Sequence, residues 1–251
     1  MTAADPTLTA SRLVTTAFVV LPVIMAALFV AGAGAARDAR DAAGATRRRL
    51  LATAAAVVVW LAVTWLLAAR GVLRRFDAMP PPFVLLLVTI LALGPAIAGS
   101  PLGARLARAL PLAALVGAQA FRLPLELVMH RAYEDGVMPV QMSYAGRNFD
   151  IVTGITAIAL ALALVRWRVP RWIVLAWNVL GLLLLVNVVT VAIVSTPVFR
   201  WFGDEGLNTF VAYPPFVWLP AVLVLAAWAG HLVIFRALAA PGALTTVEPP
   251  H

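Results

Sequence analysis

The sequence predicts an all-α fold: a polytopic transmembrane helix bundle of about seven spans, with the N-terminus outside and the C-terminus cytoplasmic. Three observations carry this expectation. Hydrophobic residues make up 63% of the 251-residue chain, and charged residues only 12%. The mean hydropathy is +0.97, and the apolar residues fall into runs near the ~20 needed to cross a ~30 Å hydrocarbon core. The 19 basic residues are all Arg and gather at the ends of those runs, where they meet headgroups and set orientation. Spanning β-strands would be about half as long and alternate in polarity.

The elements follow in order. A tail over 1–12 precedes span 1 at 13–36. This run exceeds the ~7–15 residues of a signal-peptide core, so it reads as a retained helix. The linker RDARDAAGATRRR leads to span 2 at 50–69. RGVLRRFDAMPPP follows, and its prolines cannot continue a helix. Span 3 is predicted at 83–99, interrupted by Gly94-Pro95. The linker SPLGARLAR precedes span 4 at 109–132, which contains Pro111 and Pro124. A polar loop to Arg147 leads to span 5 at 148–165, closed by RWRVPR. Span 6 lies at 172–195 and span 7 at 216–235. The tail from 236 to 251 carries Pro and Gly and reads as disordered. All of 13–235 forms one membrane domain.

Orientation comes from counting Arg in alternating segments. The first, third and fifth linkers and the C-terminal tail carry eleven, and the N-terminus with the other loops carries seven. The richer side is expected in the cytoplasm. Trp167, Trp172, Trp201 and Trp218 fall near predicted span ends, the position of interfacial anchors.

The composition also excludes chemistry. Without Cys there are no disulfides, thiolate metal sites or cysteine nucleophiles. No phosphate-binding glycine motif appears, and the positive charge at span ends indicates lipid rather than nucleic acid as the partner. No cofactor is implied and no catalytic set is recognised.

The informative stretch is 121–150, FRLPLELVMHRAYEDGVMPVQMSYAGRNFD. Arg122, Glu126 and His130 recur every fourth residue, so they share one helix face, and Gln119 extends the stripe. Pro124 among them should leave the carbonyl of Ala120 free. Ionisable groups at membrane depth are costly and mark partners or function. Arg147, Asn148 and Asp150 begin span 5, with Asp150 expected at the depth of His130, and Asn187 lies in the outer half of span 6. Asp150 at a helix start also reads as a cap. Together, Arg122, Glu126, His130, Arg147, Asn148, Asp150 and Asn187 are expected to line an outward-facing pocket between spans 4, 5 and 6. A fixed cation beside groups that exchange protons suits a small polar or anionic solute. Glu126, His130 and Asp150 alternatively suit a metal ion in an intramembrane enzyme, although the nearby Arg122 opposes a second cation. A third reading is a structural subunit in which these groups only knit the bundle. Asn178 and His231 read as packed, hydrogen-bonded core residues.

Around FRLPLELVMH, GRNFDIVTGITA, WNVLGLLLLVN and PPFVWLP, over roughly residues 115–235, the chain resembles a family of bacterial multi-pass membrane proteins without an assigned function. The resemblance implies a bacterial inner-membrane protein. It carries no substrate and no site residues.

Overall fold

The computed structural model describes residues 6–37 and 41–240. Among them there is no strand, and helices follow one another with short connections: α1 Pro6–Thr9, α2 Arg12–Ala35, α3 Ala45–Ala69, α4 Pro82–Gly99, α5 Pro101–Ala109, α6 Leu112–Gly117, α7 Arg122–Glu134, α8 Ile151–Arg166, α9 Arg171–Val194 and α10 Leu225–Ala239. A 3₁₀ turn over Ala118–Phe121 joins α6 to α7, and a π-helical turn over Leu219–Val224 runs into α10.

Six helices are long and apolar enough to cross a membrane: α2, α3, α4, the composite Leu112–Glu134, α9 and the composite Leu219–Ala239. The chain is therefore a multi-pass membrane protein whose apolar helices face a lipid bilayer. The expected span at 148–165 corresponds to the apolar helix α8 of 16 residues, about 24 Å long at ~1.5 Å per residue, shorter than a ~30 Å core.

Local chemistry explains the helix ends. Ser11 caps α2, its hydroxyl accepting from the Val14 N–H at 3.4 Å. Pro82 can open α4 because a first-turn residue needs no intrahelical N–H bond. The segment expected to be the linker SPLGARLAR is mostly the helix α5. Ser100 caps it by accepting from the Gly103 N–H at 3.1 Å, and Pro101 begins it. The region from 236, expected to be a disordered tail, continues α10 to Ala239; residues 241–251 lie outside the described residues. In the N-terminal tail, Pro6–Thr9 is a helical turn, and residues 1–5 lie outside the described residues.

Arginines finish two helices. Arg49 donates from Nε to the Ala33 carbonyl at 3.1 Å and from Nη2 to the Ala36 carbonyl at 2.9 Å. Arg236 donates to the carbonyls of Ala98, in the last turn of α4, and of Ser100, just beyond it. Both place a cation at a helix C-terminus, where the dipole and the last-turn carbonyls favour it. Asp41 lies between Arg49 and Arg105, at 3.3 and 2.8 Å. These contacts gather the α2–α3 connection, α5 and the C-terminal end of α10 at one end of the bundle.

The opposite end is tied by other groups. The Ser11 N–H donates to Asp135 Oδ2 at 2.9 Å, Arg74 lies over the Tyr213 ring at 4.8 Å, and Gln141 Nε2 donates to the Gly206 carbonyl at 2.7 Å. The largest core cluster reaches into this end and includes edge-to-face contacts among Phe18, Phe210 and Phe216. Trp167, Trp172 and Trp201 are exposed. Trp218 directly precedes the composite span Leu219–Ala239, and there its indole donates to the Leu61 carbonyl at 3.3 Å and packs on Trp65.

Candidate functional site, a buried charge cluster at the start of a short helix

The sequence places Arg122 ten residues into the 23-residue helix Leu112–Glu134, near its midpoint. The α6–α7 backbone switches to 3₁₀ just before it. The Ala120 carbonyl is not left free as Pro124 suggested: the Arg122 N–H donates to it and to the Gln119 carbonyl. Arg122 and Glu126 are each 1% exposed and face the protein interior.

Asp150 meets Arg122 from the other side. Nη1 donates to Asp150 Oδ1 at 2.6 Å and to the Gly181 carbonyl of α9 at 3.3 Å. Asp150 occupies the N-cap position of α8, but its side chain caps no backbone N–H. The carboxylate instead accepts from Arg122 and, at 3.2 Å, from the Thr153 hydroxyl. This corrects two expectations: Asp150 is not a helix cap, and it does not lie level with His130. It pairs two turns away, at Arg122, so the 135–150 loop descends along α7 and α8 begins part-way down the bundle. That descent is why α8 is short.

Asn148 completes the link. Its Nδ2 donates to both Glu126 oxygens, at 2.9 and 2.8 Å, and to the Met142 carbonyl at 3.0 Å. Its Oδ1 accepts the Asp150 N–H at 3.0 Å. Asn148 is fully buried, so each of these bonds is made away from water, where a missing partner would be costly.

The close contact of α7 and α8 depends on Gly154. A Cβ there would stand 2.3 Å from the Leu123 nitrogen and 3.0 Å from the Arg122 carbonyl carbon. Only a residue without a side chain lets the two backbones approach this far.

Arg122, Glu126, Asn148 and Asp150 thus come together. His130, Arg147 and Asn187 do not join them. His130 lies at the end of α7, its ring stacked on Tyr144 at 4.4 Å and its Nε2 3.7 Å from Glu134. The i, i+4 spacing that connected it to Glu126 also connects it to Glu134, and the exposed partner prevails. Arg147 is exposed, with its guanidinium over the Phe202 ring at 5.4 Å. Asn187 donates to the Arg147 backbone carbonyl at 2.7 Å; it pins the loop rather than lining the cluster. The metal alternative fails on geometry. With His130 turned to Tyr144 and Glu134, Glu126, His130 and Asp150 do not converge, and no group of three such side chains able to hold an ion exists among the described residues.

The cluster borders a cavity of about 60 Å³, lined by Arg122, Glu126, Asn148, Asp150 and Asn208 and by apolar side chains such as Phe83, Leu185 and Leu223. At ~10–15 Å³ per water-sized site this volume holds a few waters or a solute of few atoms. Arg122 Nε and Nη2 have no hydrogen-bond partner within the protein. These two N–H groups form one parallel edge of the guanidinium, the edge that fits a carboxylate or similar oxyanion.

A second polar pair lies behind the first. His231 Nδ1 is 2.7 Å from Asn178 Oδ1, and Asn178 Nδ2 donates to the His231 carbonyl at 3.1 Å. These residues are 53 apart in sequence, so spacing alone could not pair them. Thr153, three residues after Asp150 and expected on span 5 within reach of the stripe, does join the cluster through its hydroxyl. No protein-family model matches the chain, and no curated protein or solved structure matches it either.

Proposed function

We propose that this chain is a seven-pass bacterial inner-membrane protein that binds a small anionic or polar solute at Arg122, as the substrate site of a carrier. The observation that carries the reading is the unpartnered Nε/Nη2 edge of Arg122, buried beside a cavity whose other polar side chains are Glu126, Asn148, Asp150 and Asn208. A buried guanidinium with one edge satisfied and the other vacant favours an oxyanion ligand. Glu126 adds a group able to take or release a proton alongside it. A short helix beginning within a membrane bundle, with irregular backbone before it, is also how carriers build central sites.

The contacts at the two ends support α8 as the seventh pass. The α2–α3 connection, α5 and the end of α10 share one end; Ser11, Arg74, Gln141 and Tyr213 share the other. The first end holds the Arg-rich linkers and is assigned to the cytoplasm, so the site opens outward. A structural role is the second reading, favoured by the Arg122–Asp150 and Glu126–Asn148 pairs being closed within the protein.

Thermal stability of the purified protein tests the two. Formate and acetate should raise the unfolding temperature of the wild type, and Arg122→Lys should abolish the response because it keeps the charge but lacks the fork. Uptake of the stabilising anion into proteoliposomes should disappear in the same variant. If neither anion stabilises the wild type while Glu126→Gln unfolds it, the structural reading replaces the carrier.

A further inference from the structure

Away from the charge cluster, the bundle encloses a chamber of about 630 Å³ between the α2–α3 pair and α4, α5 and α10. This lies within the ~300–1,000 Å³ range of sites that hold a whole small molecule. Its walls include Phe29, Val57, Leu106 and Leu225, and no charged side chain lines it. On α3 the lining runs from Ala52 to Leu61, about 13 Å at ~1.5 Å per residue, close to half of a ~30 Å core. The chamber is therefore as deep as one leaflet.

One end is closed by side-chain bonds. Trp60 lines the chamber and donates from its indole to the Ala221 carbonyl at 2.8 Å, holding α3 to the π-helical turn. The space is not sealed: Leu28 on α2 and Ala52 and Ala56 on α3 line it and are exposed.

Besides Trp60, two polar side chains interrupt the apolar wall, Thr53 and Gln119, and of these Gln119 is the one with a buried atom lacking a partner. Gln119 is 2% exposed, lines the chamber, and its Oε1 has no hydrogen-bond partner. Room for its amide exists because residue 230 is glycine: a Cβ there would lie 2.1 Å from Gln119 Nε2. A lone amide oxygen inside hydrocarbon costs free energy that a ligand O–H would recover. Gly230 lies towards the α5 end and Ala221 towards the Trp60 end, so the amide and the indole mark opposite ends of the space.

We infer that this chamber is a binding site for a single-chain lipid alcohol, entering sideways from the bilayer. Its hydroxyl donates to Gln119 and its tail runs towards Trp60. A phosphate or carboxylate head does not fit, because the walls hold no cation to receive it. The site is separate from Arg122 and takes a ligand of opposite chemistry.

Tryptophan quenching in nanodiscs tests this, with 12-bromododecan-1-ol and 1-bromododecane as probes. The alcohol should quench saturably, and Trp60→Phe should remove most of the saturable part. The bromoalkane, lacking the donor, should need roughly fivefold more probe, the effect of one hydrogen bond. Gln119→Leu should erase that difference. Ala56→Phe, a change on the exposed α3, should block both probes while circular dichroism stays unchanged. Linear, unsaturable quenching by both probes would overturn the inference. So would an alcohol preference that survives Gln119→Leu, or saturable quenching that survives Ala56→Phe.

Discussion

Gly154→Ala is the sharpest test of how the fold builds the charge cluster. The added methyl would meet the Leu123 nitrogen at 2.3 Å and the Leu123 Cα at 2.9 Å. Backbone cannot swing aside as a side chain can, so α8 must retreat by about 1 Å to reach ordinary contact. The Arg122–Asp150 bond is 2.6 Å, and the same retreat takes it beyond hydrogen-bonding range, with Asn148 drawn off Glu126. Overpacking costs ~1–3 kcal/mol, and a lost bond between buried charged groups adds ~1.5–3 kcal/mol. The expected destabilisation is therefore about 2.5–6 kcal/mol, or an unfolding temperature lower by roughly 5–24 °C for a chain of this size. Differential scanning fluorimetry in detergent measures it. Gly99→Ala is the control, because nothing lies within 4 Å of a Cβ there. If Gly154→Ala unfolds at the wild-type temperature, α7 and α8 are not clamped as described, and the geometry of the cluster fails with them.

Three further outcomes follow from contacts outside the cluster. Arg49→Ala should cost about 1 kcal/mol by uncapping α2, with Arg49→Lys restoring only part because it cannot reach both carbonyls; thermal unfolding reads both. Trp60→Phe should also cost about 1 kcal/mol and speed amide exchange across 219–224, since the Ala221 carbonyl loses its donor; unchanged exchange would show that the indole does not hold the π-helical turn. Asp135 lies beyond the end of the composite helix, and the hydrogen bond from Ser11, with the charge of Arg131 behind it, holds its carboxyl below the ordinary range. Its folded value is lower than its unfolded one, so the stabilisation is present at neutral pH and lost as acid protonates the carboxyl through that lowered value. Exchange at the first turn of α2, corrected for intrinsic rate, should rise in acid, and Asp135→Asn should show the raised exchange at every pH.

The parts of this molecule legible in the sequence are those governed by local pattern. Runs such as 13–36 and 172–195 had to become long helices because lipid leaves the backbone no other partner. Arg122, Glu126, Asn148 and Asp150 drew attention because polar groups are rare in such runs, and the structure brings those four together. The α5 helix was missed although its start, Ser100 followed by Pro101, is a capping signal; its arginines disguised it as a linker. The depth of Asp150 is not legible, because spans ordinarily begin at the interface and nothing local says that a loop descends into the bundle. The Asn178–His231 pair and the chamber at Gln119 arise from residues far apart in sequence, whose meeting depends on how whole helices cross.

The shortness of α8 constrains how the protein is assembled. A helix of 16 residues that brings a buried Asp and Asn with it is a poor candidate for independent insertion, since an Asp at the centre of a lipid-exposed span costs ~2.5–3.5 kcal/mol. Its counter-charge, Arg122, carries a similar cost until Asp150 arrives. Each is acceptable to the membrane only in the other's company, and 28 residues separate them in the chain. The two helices must therefore enter as one unit, so a chain truncated between Glu134 and Asn148 should leave Arg122 stranded and the preceding span poorly retained in the bilayer.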